Sequence, residues 1–215
     1  QETFGDARRT KIVSETREIT MEDMIVQEDM VVTISNAGYI KRNPITLYRQ
    51  QHRGGKGKTG MGTKEEDFVS HLFVASTHHT FMFFTNRGRV YWCKVYDIPQ
   101  GGRTSRGKAI VNLLNFAPDE HLTTVVAVPE FTPGNYVLMA TRQGLVKKTD
   151  IMAFSRPRAG GIIAVNMKPG DELIAARLTD GTRQVFLCSL FGKSIRFHET
   201  DIRPSGRISQ GVRGM

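Results

Sequence analysis

Four times along the chain a run of apolar residues ends on Ser or Thr, crosses two variable positions, reaches a Gly and resumes as mixed apolar and basic residues. The copies read VVTISNAGYIKR (31–42), FMFFTNRGRVYW (81–92), YVLMATRQGLVKK (136–148) and VFLCSLFGKSIRF (185–197). Each predicts a β-hairpin. The hydroxyl of Ser35, Thr85, Thr141 or Ser189 can cap the turn, and Gly38, Gly88, Gly144 and Gly192 supply a positive φ without a Cβ clash. The entering strands are almost wholly apolar, as expected where both faces are buried. The leaving strands mix Ile40, Val90 and Val146 with Lys41, Arg42, Lys147 and Lys148, which predicts a partly exposed, positively charged edge.

The turn glycines are 50, 56 and 48 residues apart, a period suited to the blades of a propeller-like fold. A Gly-rich basic loop follows each hairpin: QHRGGKGKTG (51–60), QGGRTSRGKA (100–109), SRPRAGGI (155–162) and RPSGRISQG (203–211). Gly57, Gly107 and Gly211 each lie 19 residues beyond their turn glycine, and only the third loop is shorter. Beyond the loops, the segments 110–128 and 163–178 each place an acidic pair, Asp119 with Glu120 and Asp171 with Glu172, ahead of another apolar strand. One blade is therefore about four short strands. No 3.6-residue periodicity is visible from Glu28 onward, so the expected class is all-β. The blade motifs fall near 28–75, 76–128, 129–178 and 179–215, and the charged segment 1–27 reads as a connector from a longer protein, lacking an initiator Met.

Charge narrows the function. Thirty Lys and Arg against 21 Asp and Glu leave a formal net charge of +9, which favours a polyanionic partner, nucleic acid first. No apolar stretch approaches the roughly 18 residues of a membrane helix. Cys93 and Cys188 sit in apolar runs and read as buried thiols of a reducing cytoplasm rather than a disulfide or zinc framework. His52, His71, His78, His79, His121 and His198 show no ligand spacing, so no metal site is expected. No nucleophile elbow accompanies Ser, His and Asp, and the segment is expected to hold no catalytic centre. GGKGKT (54–59) imitates a phosphate-binding loop of nucleotidases, but the spacing would need Gly where His52 stands, and GMGTKEED follows in place of a helix. Phe81, Phe83, Phe84, Tyr91 and Trp92 occupy strand positions and are assigned to the core rather than to base stacking.

The densest basic stretch is 41–64, with Lys41, Arg42, Arg49, Arg53, Lys56, Lys58 and Lys64 and no acid among them. Gly54, Gly55, Gly57, Gly60 and Gly62 leave backbone N–H groups open, so a phosphate could meet both side-chain charge and main-chain donors. The same loop type recurs with Arg103, Arg106 and Lys108. Within this stretch Gln51, His52, Arg53, Gly54, Gly55, Lys56 and Gly57 spell QHRGGKG, which closely resembles the Gln-Arg-Arg-Gly-Gly-Lys-Gly box of the DNA gyrase A C-terminal domain family. Six of seven positions agree; His52 replaces a permanently charged guanidinium with an imidazole. FGDARRT (4–10) is similar to that family's junction with the breakage-reunion core.

The resemblance implies a β-pinwheel, a propeller-like ring of four-stranded blades that exchange strands with their neighbours, of which about four blades are visible in this chain. It implies a basic outer rim around which duplex DNA bends, so that the holoenzyme introduces negative supercoils. The partners it implies are duplex DNA, the gyrase A core and gyrase B in an A2B2 holoenzyme, with no membrane. ATP and Mg would act on other domains, with no cofactor in this segment. Topoisomerase IV carries a degenerate box in its corresponding domain, so the near-intact box favours gyrase; a propeller-like protein-interaction module is the reading from another class. Along the rim the phosphate-tracking residues are expected to be Arg49, Arg53, Lys56 and Lys58, then Arg103, Arg106, Lys108, Lys147, Lys148, Arg156 and Arg158, with Lys41 and Arg42 beside the box.

Overall fold

The computed structural model describes residues 20–48, 52–55, 57–63 and 66–215. Its strands are β1 (Asp29–Ser35), β2 (Tyr39–Pro44), β3 (Val69–Ser76), β4 (Thr80–Thr85), β5 (Arg89–Lys94), β6 (Lys108–Ala109) and β7 (Leu122–Val128). Then come β8 (Tyr136–Thr141), β9 (Leu145–Asp150), β10 (Ile162–Ile163), β11 (Leu173–Thr179), β12 (Gln184–Cys188), β13 (Ser194–His198) and β14 (Val212–Arg213). There is no α-helix among the described residues. A single 3-10 turn follows each leaving strand, at Ile45–Leu47, Val95–Asp97, Ile151–Phe154 and Glu199–Asp201, a recurring element that periodicity could not show.

The four hairpins form as the turn chemistry dictates. Gly38, Gly88, Gly144 and Gly192 all adopt φ between 70° and 81°, and each amide bonds the carbonyl of the Ser or Thr three residues earlier. The Ser35, Thr141 and Ser189 hydroxyls accept from the amide just after the glycine, at 3.1 to 3.2 Å. Thr85 departs from the pattern, because its hydroxyl donates instead to Glu120 Oε1 at 2.5 Å.

The strands make three four-stranded antiparallel sheets and one two-stranded sheet. The first has the order β3-β1-β2-β6, the second β10-β5-β4-β7, the third β11-β8-β9-β14, and β12 pairs with β13. The outermost strand beside each leaving strand comes from the following repeat. Ile40 pairs with Lys108, Val90 with Ile162, and Val146 with Val212, always at the position two beyond the turn glycine. The strand exchange expected of a pinwheel is thus built into every four-stranded blade, and a blade is not a contiguous piece of sequence.

Consecutive blades pack face to face. Met30, Val32, Ile34 and Ile40 of the first meet Phe81, Phe83, Tyr91 and Val125 of the second. Met82, Phe84, Val90 and Val126 of the second meet Val137, Met139, Phe154 and Ala176 of the third. Side chains alternate along a strand, so β4 sends Phe81 and Phe83 to one interface and Met82 and Phe84 to the other; a strand shared by two cores can hold no polar position inside. Each such burial contributes about 1.5–3 kcal/mol. Ahead of the first blade, the turn Met21–Met24 is capped by Thr20 and Asp23, and Lys94 Nζ pairs with Glu22 at 2.6 Å, tying this end of the connector to the second blade.

Candidate nucleic-acid interface

The second, third and fourth Gly-rich basic loops are the crossings by which a repeat reaches its predecessor. Loop 99–107 lies along β2 before feeding β6: Arg42 N–H donates to Pro99 O at 3.0 Å, and Gly101 N–H to Arg42 O at 3.1 Å. Gly107, at φ 83°, passes so close to β2 that a Cβ would overlap the Ile40 carbonyl. Gly211, at φ 92°, stands against Val146 in the same way, with a would-be Cβ 3.1 Å from Lys147 Cβ. Of the three glycines at the shared offset of 19 residues, Gly107 and Gly211 therefore mark where a crossing loop must slip past a neighbouring backbone, whereas a Cβ at Gly57 would have nothing within 4 Å. The third loop crosses differently: Gly161 lies under the Tyr91 ring, a Cβ there falling 2.7 Å from Cε1, and Arg89 Nη2 holds Gly160 O at 2.5 Å.

The cations divide into two populations. His52, Arg53, Gly54, Gly55, Gly57 and Lys58 are exposed, as are Arg106, Lys108, Arg156 and Arg158, while Arg103 is half-buried. Arg49, Gln51 and Lys56 lie outside the described residues, as do Lys64 and the segment 1–19. The box loop returns beside the second loop, where Gly62 N–H donates to Ser105 O at 3.3 Å.

Lys41, Lys147 and Lys148 are not rim residues. Their relative exposures are 0, 2 and 4%, and their ammonium groups are spent on internal carbonyls. Lys41 Nζ donates to Gly102 O at 2.8 Å and Arg103 O at 2.6 Å. Lys147 Nζ donates to Ala164 O at 2.7 Å, Ser209 O at 3.1 Å and Arg207 O. Lys148 Nζ donates to Glu199 O at 2.6 Å and lies over the Tyr136 ring. Burial holds the Lys41 ammonium below its ordinary pKa and brings Lys147 down to about 8, with Arg207 adding like-charge repulsion. Arg42, half-buried, likewise turns inward to Ile98 O at 2.6 Å and Tyr96 O at 3.1 Å. The leaving strand is charged because it must grip the next repeat, and its exchange partner covers it from solvent.

The sequence reading passed over Arg203, exposed, and Arg207, half-buried, on the fourth loop, and the exposed Arg213 on β14. A signal was present: Arg53, Arg103 and Arg207 all stand four residues before their loop glycine. It also missed the role of the acidic pairs. Glu120, 7% exposed, accepts from Thr85 Oγ1, Tyr91 Oη and Ala117 N, while Asp171 Oδ1 caps Gln143 N and Glu172 N at 2.9 Å. These carboxylates fasten turns. The cysteines need one correction: Cys93 is half-buried, its thiol pushed up to about 12 by burial with Asp97 beside it, but Cys188, on β12, is exposed. Phe81, Phe83, Phe84 and Tyr91 are buried and Trp92 partly so. No group of three or more His, Cys, Asp or Glu among the described residues could hold a metal ion, and no described helix is long and apolar enough to cross a membrane.

Comparison with known proteins bears on this arrangement directly. The chain is 50% identical over its full 215 residues to the gyrase A protein of Salmonella typhimurium, and 45% identical, again over all 215, to that of Halalkalibacterium halodurans. It spans 24% and 26% of those proteins, about a quarter of their length. Among solved structures, the C-terminal domain of DNA topoisomerase IV superposes with a TM-score of 0.75 at 27% identity, covering 88% of this chain and 58% of that one. The DNA gyrase A C-terminal domain superposes at 0.69 with 25% identity, covering 87% and 60%. The family model described as DNA gyrase C-terminal domain, beta-propeller, matches residues 29–76, 79–129, 135–180 and 183–215, one segment per repeat. With four matched repeats, exchanged strands and basic crossings in one register, the chain belongs to the DNA gyrase C-terminal domain family.

Proposed function

We propose that this domain binds duplex DNA by its phosphate backbone along the crossing loops and bends it from blade to blade. The observation that carries the reading is the repetition of surface cations from one Gly-rich loop to the next: exposed Arg53 and Lys58, then half-buried Arg103 with exposed Arg106 and Lys108, then exposed Arg156 and Arg158, then exposed Arg203 and Arg213 with half-buried Arg207. A ladder of like charges, one rung per blade, matches a polymer with a regular anionic backbone, and contacts to phosphate carry no sequence information. In the box, Gln51, His52, Arg53, Gly54, Gly55, Lys56 and Gly57, with Arg49 beside it, would grip the first phosphates.

Within the whole protein this wrapping serves an ATP-dependent type II topoisomerase, as its gyrase A relatives suggest. The domain hangs from a gyrase A core that assembles with gyrase B as A2B2 in the cytoplasm, away from any membrane. ATP and Mg act on other domains, and this segment needs no cofactor. Wrapping of one handedness then lets strand passage introduce negative supercoils.

The test is binding of the purified protein to closed-circular DNA, relaxation of the complex, and analysis of the linking number. A shift that grows with protein, together with affinity that falls steeply with salt and favours long duplexes, is the expected result. Unchanged linking number and equal affinity for short and long duplexes would remove the reading. A topoisomerase IV type of domain is the second reading, favoured by the 0.75 TM-score of that structure. The near-intact box and the 45–50% identity to gyrase A sequences weigh for gyrase. The holoenzyme decides, since gyrase supercoils relaxed DNA whereas the alternative decatenates without supercoiling.

A further inference from the structure

We propose that Lys41 and Lys147 are positioning residues for DNA binding: each is a buried ammonium clasp that fixes the crossing loop donated by the next repeat, so that its arginine stands ready for phosphate. The inference rests on the reading of the loops as the DNA-binding edge. Its support is a relationship found twice. Lys41 lies three residues beyond Gly38, and its Nζ bonds the carbonyl of Arg103; Lys147 lies three beyond Gly144, and its Nζ bonds the carbonyl of Arg207. Arg103 and Arg207 in turn each lie four residues before the glycine that slips past the donating strand. The backbone oxygen of each rim arginine is thus pinned from beneath by the preceding blade, while its half-buried side chain reaches the surface, that of Arg207 with Nη1 donating to Ile163 O at 3.4 Å.

The second blade shows that this position has no need of a lysine for the fold. The residue three beyond Gly88 is Tyr91, fully buried at the equivalent place, and it is served by the shorter third loop. There the loop lacks an arginine four residues before a crossing glycine, and Arg89 takes its carbonyls from the side. Lysine occurs where a long loop with a rim arginine has to be held. A cation suits the task, since several carbonyls of one loop converge where a neutral donor could satisfy fewer, and charge-assisted bonds are the stronger ones. The bonding partners of both ammonium groups are carbonyl oxygens, with no carboxylate among them.

The clasp withstands mild alkali. Burial, with Arg207 of the donated loop adding like-charge repulsion, brings Lys147 to a pKa of about 8, below the ordinary lysine value of about 10.4. An opened loop would return the side chain to water and to that ordinary value, so between about pH 8 and 10.4 the open form binds more protons and rising pH favours the closed one. A merely structural lysine obeys the same linkage, so what separates the two is whether the lysine acts on DNA through Arg207.

The experiment uses the full-length protein at pH 7. Affinity for a duplex of about 150 bp is measured beside tryptic cleavage after Arg207, scaled to cleavage of an unfolded reference peptide. Lys147→Met should bind several-fold more weakly and be cleaved faster after Arg207, and in an Arg207→Ala background the same exchange should cost no further affinity, whereas a merely structural lysine would cost the same in both. Should Lys147→Met fail to fold, Lys147→Tyr, which copies the second blade, replaces it. A folded variant matching wild type in affinity and cleavage, or an equal loss of affinity with and without Arg207, would overturn the clasp. If every form lacks DNA affinity, the function reading fails while the cleavage profile still judges the clasp.

Discussion

The hydroxyl of Tyr91 donates to Glu120 Oε2 at 2.8 Å, joining the leaving strand of the second blade to the turn that precedes its outer strand. The same carboxylate takes Ala117 N at 2.8 Å and Thr85 Oγ1 at 2.5 Å, so three donors converge on one nearly buried group. Exchanging Glu120→Gln sets an amide N–H against at least one of them without changing volume. The expected loss is about 1–3 kcal/mol, read as a lower urea midpoint with unchanged slope. Tyr91→Phe, which removes the bond to Glu120 and the one Tyr91 Oη accepts from Arg89 Nε at 3.3 Å, should lose about 1–3 kcal/mol.

Gly107 and Gly102 sit on one loop and should respond in opposite ways to alanine. At Gly107 the new Cβ overlaps the Ile40 carbonyl and φ is 83°, whereas at Gly102 it meets open space. Thermal unfolding should show Gly107→Ala destabilised by about 1–2 kcal/mol from the backbone alone, with more from the overlap, and Gly102→Ala within about 0.5 kcal/mol of the parent.

Arg103→Ala and Arg207→Ala should weaken binding equally for all sequences, each lowering the slope of log affinity against log salt by about 0.9. A titration between low and moderate ionic strength would register this, and a sequence-selective loss would argue for contact with base edges instead.

His52 stands exposed where the family box has arginine. His52→Arg adds a permanent charge to the loop, so duplex affinity at low salt should rise and the salt slope should steepen by about 0.9.

The two cysteines should differ sharply towards a thiol reagent at pH 8. Cys188 is exposed and reacts; Cys93, with its thiol raised to about 12, holds almost no thiolate and stays unmodified until the protein unfolds. Equal labelling in the native state would contradict the packing of β5.

What the sequence determined alone was whatever local chemistry and repetition encode: the hairpins, because a hydroxyl, two free positions and a glycine define a turn; the all-β class, because the apolar runs are short and lack helical period; and the crossing loops, because their glycines keep register over 50 residues. The direction of charge was beyond its reach. Lys41 and Arg53 are the same kind of residue in the same basic stretch, yet one is sealed beneath loop 99–107 and the other is open to solvent. That difference arises when Lys108 and Ala109 leave their own repeat to pair with Ile40 and Tyr39, a contact between residues some 70 positions apart. Only the tertiary structure could decide it, because a lysine is buried or exposed according to which carbonyls come to meet it, and those carbonyls belong to the next blade.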